Sequence, residues 1–293
     1  MPTYDTSGPV TLSLELNVAT VRISATDRGD TVVDVRPTDS RKKSHVEAAE
    51  QTRVEFSDGM LLVKSPRRWK AFSFRGGLES IDVDIEVPAG SRLHGNTGMG
   101  TIHTSGRLED CLLKVGMGDI EVDQAGAPVE LHTGMGDIAL GRSTGRVDIK
   151  TGSGAVRINR AEGALAVKNA NGDTWIGDVT GDVTVSAANG KISVERTAGT
   201  VAAKTANGDV RIGEVTGGSV SAHTACGVID IGILDGLAAW LDLDTSYGEV
   251  RNDLDRAIRP GADADSVDVR ARTSFGDITI RRTAPRQAVS DQA

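Results

Sequence analysis

Hydrophobic and polar residues alternate in short runs through most of this chain, and each run follows a glycine. Two and four residues after the glycine the side chains are mostly Ile, Val or Leu, as with Ile138 and Leu140, while the residues between them are mostly polar. A period of two is typical of β-strands with one buried face. Because no helical period separates these runs, the pattern predicts an all-β protein without βαβ crossovers.

The glycines recur at a fixed distance, and this repeat decides the predicted fold. We call the glycine that precedes each alternating run its anchor. Seven anchors lie 18 residues apart and three follow at wider spacing: Gly100, Gly118, Gly136, Gly154, Gly172, Gly190, Gly208, Gly227, Gly248 and Gly276. Nine residues after an anchor a second glycine, such as Gly145 or Gly163, precedes another alternating pair. Strands this short stack on their copies in neighbouring coils. We therefore predict a single-stranded parallel β-solenoid of 18-residue coils, with about ten rungs.

The segment before the repeats has alternating strands of uneven spacing. We expect residues 1–90 to form an N-terminal β cap that blocks one open edge of the solenoid, with Val21 and Ile23 inward in a degenerate rung. Residues 91–282 hold the repeats, with a loop insertion at about 253–265. Residues 283–293 are predicted to be a disordered tail.

Composition limits the function classes. The 293 residues include 35 glycines but only 9 aromatic residues, which suits a narrow β interior, and the net charge of −8 argues against a dedicated nucleic-acid binder. Cys111 and Cys226 fit no metal-ligand spacing. We expect no secretory signal, because the N-terminal residues have no basic start and no apolar core, and no apolar run is long enough to span a bilayer. We expect no membrane insertion and a cytoplasmic location.

Several motifs that resemble reactive sites have simpler explanations in a repeat. The segment "TGMGDIAL" resembles a phosphate loop, but it leads into a strand instead of a helix. Asp119 and Asp137 would lie about 4.8 Å apart in adjacent coils, near the separation of a retaining glycosidase pair, but every stacked pair has that spacing. The calcium-binding nonapeptide does not match, and the histidines lack metal-ligand spacing. We predict no enzyme activity, no cofactor and no metal site; a polysaccharide-active enzyme would need a carboxylate-lined cleft.

The residue just before each anchor should stack with its copies along the solenoid. These positions hold Met99, Met117, Met135, Ser153, Asn171, Asn189, Asn207, Cys226, Tyr247 and Phe275. Stacked asparagine amides can hydrogen-bond to each other along the axis, so we predict a structural ladder here.

An outward column of basic residues is the first candidate surface for a partner. Fourteen residues after the anchors, with one slip, the chain places Lys114, His132, Lys150, Lys168, Ser186, Lys204 and His223. This stripe is either a solvated face or a docking line for an acidic partner or an anionic polymer.

The loop "PRRWKAFSFRGG", residues 66–77, is the second candidate surface. Its first residues, Arg67, Arg68, Trp69 and Lys70, are candidate contacts because exposed Trp and Arg favour interfaces. The alternative is that this loop covers the end of the solenoid with Trp69 buried.

The rungs "TGMGDIAL", "TGSGAVRI", "TANGDVRIGEV" and "RTSFGDITIRR", with the N-terminal "DVDIEVPAGSRL", resemble a bacterial family of β-strand-repeat proteins labelled "putative adhesins". The resemblance covers nearly the whole chain. It implies a solenoid with no established catalytic or cofactor residues. An adhesin would be a surface protein, whereas we expect this chain to have neither a signal peptide nor an anchor.

The leading functional hypothesis is a non-enzymatic scaffold or binding module that presents a rigid repeat surface to a protein partner. Self-assembly through an incompletely capped terminal rung, giving a homo-oligomer, is one alternative. An adhesin-like or polysaccharide-interacting role is the other.

Overall fold

The computed structural model describes residues 2–66, 79–254 and 266–284. The chain forms two compact units, Met1–Ala161 and Glu162–Ala293. In each unit, short strands pair in parallel with their copies in adjacent coils. The all-β parallel solenoid predicted from the repeat is therefore confirmed.

Unit 1 contains β1 Thr3–Asp5, β2 Thr11–Thr26, β3 Asp30–Pro37, α1 Lys43–Gln51, β4 Arg53–Ser57, β5 Met60–Lys64, β6 Ile81–Pro88, β7 Arg92–Met99, β8 Ile102–Leu108, β9 Cys111–Met117, β10 Ile120–Ala125, β11 Val129–Met135, β12 Ile138–Ser143, β13 Val147–Ser153 and β14 Val156–Ala161. Strands β7, β9, β11 and β13 pair side by side in what we call sheet I. Strands β8, β10, β12 and β14 form sheet II. The interior between the sheets is filled by stacked aliphatic columns, of which Ile120, Ile138 and Val156 are one.

The coils turn at their anchor glycines, where no other residue fits. Gly136 has a φ of +139°, and a Cβ added there would lie 2.1 Å from the carbonyl oxygen of Gly118 in the preceding coil. Side chains brace the same corner: Thr133 Oγ1 donates a hydrogen bond to that Gly118 oxygen at 3.0 Å. The stacking distance of the coils, about 4.8 Å, thus requires a bare backbone at the corner.

The N-terminal strand β2 is inserted inside the stack instead of lying at its end. Its first half pairs in parallel with β5 and β7, and its second half pairs with β6 and β8. Val21 and Ile23 of β2 are buried, as predicted for a degenerate rung. Beyond β5 and β6, the antiparallel strands β4 and β3 pair along the outer edges. Helix α1, which the sequence pattern missed, packs against β3 and buries His45 and Ala48.

Unit 2 contains β15 Leu165–Asn171, β16 Thr174–Val179, β17 Val183–Asn189, β18 Ile192–Thr197, β19 Val201–Asn207, β20 Val210–Val215, β21 Ser219–Cys226, β22 Ile229–Leu234, β23 Ala238–Tyr247, β24 Val250–Asn252, β25 Ser266–Phe275 and β26 Ile278–Thr283. Its sheet I runs β15, β17, β19, β21, β25, β23. In its sheet II the strands lie in the order β16, β18, β20, β22, β26, β24.

The last two coils of unit 2 are stacked in reverse chain order. Strand β25 lies between β21 and β23, so the coil of Gly276 comes before the coil of Gly248. In the interior column, Ala222 and Ala271 are buried neighbours, and Leu243 stands next to Ala271 at the open end, where it is only half-buried.

The predicted domain boundaries stay a prediction. Most of the expected loop at 253–265 and of the expected tail at 283–293 lies outside the described residues.

A candidate docking surface on sheet I

The outward side chains of sheet I form straight rows, because equivalent residues of adjacent coils are in direct register. In unit 1, His132 lies between Lys114 and Lys150, which places three predicted stripe residues side by side. Lys114 is exposed, and His132 and Lys150 are half-buried.

Acidic neighbours neutralise part of this unit 1 row. Asp148 Oδ1 lies 2.8 Å from Lys150 Nζ and 3.5 Å from His132 Nε2. Partial burial opposes ionisation of Asp148, but Lys150 and His132 stabilise the charged carboxylate and hold its pKa below the ordinary value. His132 and Lys150 thus belong to an internal ion-pair cluster, as the solvated-face alternative expects, whereas the exposed Lys114 forms no ion pair with a carboxylate among the described residues.

The unit 2 row has no such compensation. Lys168, Ser186, Lys204 and His223 lie in successive register and all four side chains are exposed. Their strands β15, β17, β19 and β21 contain no Asp or Glu. Within residues 79–254 and the other described ranges, none of the three basic side chains forms an ion pair with a carboxylate.

Arg272 extends this row, and the sequence pattern alone did not place it there. Because β25 follows β21 in the stack, Arg272 stands directly beside His223 and is exposed. Arg272 Nη2 lies 3.3 Å from Asp242 Oδ2 of the outermost strand β23, where Asp244 ends the row. Counting back from the glycines would have found Arg272: like Lys204 and His223, it stands four residues before its anchor.

Small side chains keep the face around the unit 2 row shallow. The outward row beside it, two residues earlier on each strand, contains Ala166, Thr184, Ala202 and Ser221. An extended partner could therefore approach Lys168, Lys204 and His223 without displacing bulky neighbours. We call the row Lys168, Lys204, His223 and Arg272 the unit 2 basic row.

The aspartates considered for catalysis serve as backbone acceptors instead. Asp119 Oδ1 accepts a hydrogen bond from Asp137 N at 2.8 Å, and Asp137 Oδ1 accepts one from Ala155 N at 2.7 Å. The same contact recurs in unit 2, where Asp173 Oδ1 accepts from Lys191 N at 2.8 Å. These carboxylates satisfy corner N–H groups that the turn would otherwise leave without an acceptor.

A shallow depression of about 330 Å³ on sheet II of unit 1 does bring carboxylates together. Glu121 and Asp123 stand on one side and Arg157 on the other, with Ala139 and Gly141 between them. Glu121 Oε2 lies 2.9 Å from His103 Nδ1, and Asp123 Oδ2 accepts a hydrogen bond from Gly106 N. This depression is a different place from the Asp119–Asp137 pair, and the prediction of no enzyme activity stays a prediction.

Two predicted features remain, the asparagine ladder and the basic aromatic loop. The predicted asparagine ladder is present, since Asn189 Nδ2 donates to Asn171 Oδ1 and Asn207 Nδ2 donates to Asn189 Oδ1, at 2.8 and 2.9 Å. Arg67, Arg68, Trp69 and Lys70 lie outside the described residues.

Membrane-spanning helices and metal clusters are both absent from the described ranges. These ranges contain no helix with the length and apolar character needed to cross a membrane. They also contain no group of three or more His, Cys, Asp or Glu side chains that could hold a metal ion. The cytoplasmic location stays a prediction.

Comparison with known proteins gives a family match and distant structural matches. The family model described as Toastrack DUF4097 matches residues 11–281. A crystal structure of a "putative adhesin" from Bacteroides fragilis NCTC 9343 matches at 14% identity, covering 96% of this chain and 95% of that chain, with a TM-score of 0.36. A "putative cell adhesion protein" from Clostridium sporogenes ATCC 15579 matches at 11% identity, covering 96% and 98%, with a TM-score of 0.23. No curated protein matches.

Proposed function

The chain belongs to the Toastrack DUF4097 family, and we propose that it is a non-enzymatic β-solenoid binding module whose unit 2 basic row docks an acidic protein partner. The observation that carries this proposal is the difference between the two units. The same column of positions is ion-paired at Lys150 but has no carboxylate partner at Lys168, Lys204 or His223 within the described ranges.

The charge of the whole protein makes this local row informative. With a net charge of −8, the chain repels anions on average, so the exposed Lys168 and Lys204, extended by Arg272, give one face a local positive charge. Electrostatic complementarity of this kind mainly steers association and selects partners. Ser186 stands between Lys168 and Lys204, so these two charges are two coils, about 9.6 Å, apart, and His223 and Arg272 follow at single steps of about 4.8 Å.

Rigid scaffolding suits such a role. The lysine, histidine and arginine backbones are held in parallel ladders on both sides, so their spacing costs no ordering of the backbone when a partner binds. The proposal assigns the partner by charge and leaves its identity to the experiment.

Matched charge reversals test the proposal. Lys168→Glu and Lys150→Glu change the net charge equally, but only Lys168 belongs to the unit 2 basic row. Affinity capture from the native cells should lose an acidic partner with Lys168→Glu and with Lys168→Glu/Lys204→Glu, and retain it with Lys150→Glu. Equal capture by all four forms of the protein, wild type included, would reject the basic row as the docking site.

The outermost strand of unit 2 favours self-assembly as a second candidate function. Among the described residues β23 pairs only with β25, and it carries Trp240, which is 73% exposed. An unpaired strand edge is a template for a second copy. Asp242 and Asp244 on the same strand oppose such pairing by placing like charges together. Light scattering at high protein concentration distinguishes the two, since a strict monomer excludes self-assembly.

A further inference from the structure

Three methionines stand one above another at a corner of unit 1. Met117 of β9 is in direct register with Met99 of β7 on one side and Met135 of β11 on the other. Backbone hydrogen bonds fix this register, because Gly100 N donates to Met117 O at 2.9 Å and Gly118 N donates to Met135 O at 2.6 Å. The three side chains therefore leave the backbone at successive steps of about 4.8 Å.

These side chains are accessible and uncrowded. Met117 is 44% exposed, Met135 is 52% exposed and Met99 is half-buried. Each one stands between two glycines in the repeated segment Gly-Met-Gly, so no neighbouring side chain along the strand restricts it. Methionine has three rotatable bonds, which lets adjacent sulfur atoms turn towards one another.

The use of methionine here is selective. The chain has 5 methionines, and three of them occupy this one column. The large hydrophobic side chains that are exposed among the described residues of unit 1 are Met60, Met117 and Met135, without a leucine, isoleucine or phenylalanine. A leucine would provide the same apolar surface, so the distinguishing atom is the thioether sulfur.

We propose that Met99, Met117 and Met135 form a binding site for a soft monovalent metal ion of the copper(I) class. Thioether ligands select such ions over zinc, calcium and magnesium, which prefer imidazole, thiolate or oxygen ligands. Met117 is the central ligand because it alone has a methionine on both sides. The site belongs to unit 1 and shares no residue with the unit 2 basic row, so it does not depend on the docking role.

Silver(I) titration of protein labelled with ¹³C at the methionine methyl groups tests the site. The Cys226→Ser variant is used throughout because the exposed thiol of Cys226 would capture silver. Nitrate buffer keeps silver in solution. The methyl signals of Met117 and of Met99, Met135 or both should shift together and saturate at about one silver ion per chain. Met60, which is 51% exposed outside the column, is the internal control and should not shift over that range.

Two leucine variants separate a metal site from an apolar patch. Met117→Leu keeps the side-chain volume, which proteins tolerate well, and should weaken silver binding by about tenfold or more through loss of the central ligand. Met60→Leu should bind silver as the parent does. An unchanged Met60 methyl signal in Met117→Leu shows that the fold is intact. The proposal is overturned if Met60 and the column methyls shift in parallel, if none shifts, or if Met117→Leu binds silver like the parent.

Discussion

Lys150 Nζ lies 2.8 Å from Asp148 Oδ1 on the outer face of sheet I, and this ion pair is the chemical difference between Lys150 and the lysines of the unit 2 basic row. Asp148 also faces His132 at 3.5 Å, so one carboxylate contacts two side chains of the same row. The repeat places equivalent cations in both units, and the neighbouring outward column decides whether they are neutralised.

Asp148→Asn should make stability depend less on pH. Because the pKa of Asp148 is lowered in the folded protein, its contribution is present above the unfolded pKa of about 3.9 and is lost as pH falls through the folded pKa. The Lys150 side chain is 43% exposed, so solvent screens the ion pair and we expect the variant to lose less than about 1 kcal/mol at pH 7. Urea unfolding at pH 7 and pH 3 measures this. A deficit of equal size at both pH values would contradict the ion-pair explanation.

The reversed order of the last two coils is testable by cross-linking. Ser221 of β21 is in register with Arg270 of β25, and Arg270 is in register with Asp242 of β23. In a Cys226→Ser background, Ser221→Cys/Arg270→Cys should form a disulfide, because adjacent strands bring the Cα atoms within disulfide range. Ser221→Cys/Asp242→Cys spans two coils and should not. A disulfide in the second pair and none in the first would show that β23 pairs directly with β21, and would contradict the reversed order.

Gly136→Ala should destabilise the protein by about 2–4 kcal/mol, since alanine at a φ of +139° is strained and its Cβ would collide with the Gly118 carbonyl oxygen. Gly8→Ala is the matched control, because nothing lies within 4 Å of a Cβ there. Chemical denaturation measures both. If the two substitutions cost the same, the corner contact is not what requires glycine.

The two cysteines should differ sharply in reactivity. Burial, together with the nearby Asp110 charge, raises the pKa of the Cys111 thiol, so little thiolate forms and reagents cannot reach it. Cys226 is exposed. A thiol reagent should titrate about one thiol per folded chain and about two after unfolding. Rapid modification of both in the folded protein would show that Cys111 is not in the interior.

The period of the sequence is sufficient to predict the register of the repeated coils. Stacking at a fixed step requires every inward position to be apolar in the same phase, and for this reason the repeat alone identifies Ile120, Ile138 and Val156 as one interior column. The asparagine ladder of Asn189 and Asn207 follows from the same phase.

Features that depend on order or on side-chain reach do not follow from the period. The stripe was predicted by counting fourteen residues forward from each anchor. Because Gly276 follows Gly248 by 28 residues, this count does not reach Arg272, and its position beside His223 was missed. The repeat spacing does not say which coils are neighbours. It therefore does not reveal that β2 lies between β5 and β7, or that β25 lies between β21 and β23. Helix α1 was missed because no side chain caps its start at Lys42.

Binding to an acidic polymer of known composition tests the docking proposal most directly. Fluorescence anisotropy of labelled poly-L-glutamate at low ionic strength compares the wild type with Lys168→Glu/Lys204→Glu and with the control Lys43→Glu/Lys150→Glu. The control has the same net charge as the test variant but replaces lysines that are paired with Glu47 and Asp148. We predict that the wild type binds, that the test variant binds about tenfold more weakly, and that the control stays within about twofold. No binding by the wild type, or equal losses in the two variants, would contradict the proposal that the unit 2 basic row docks an acidic partner.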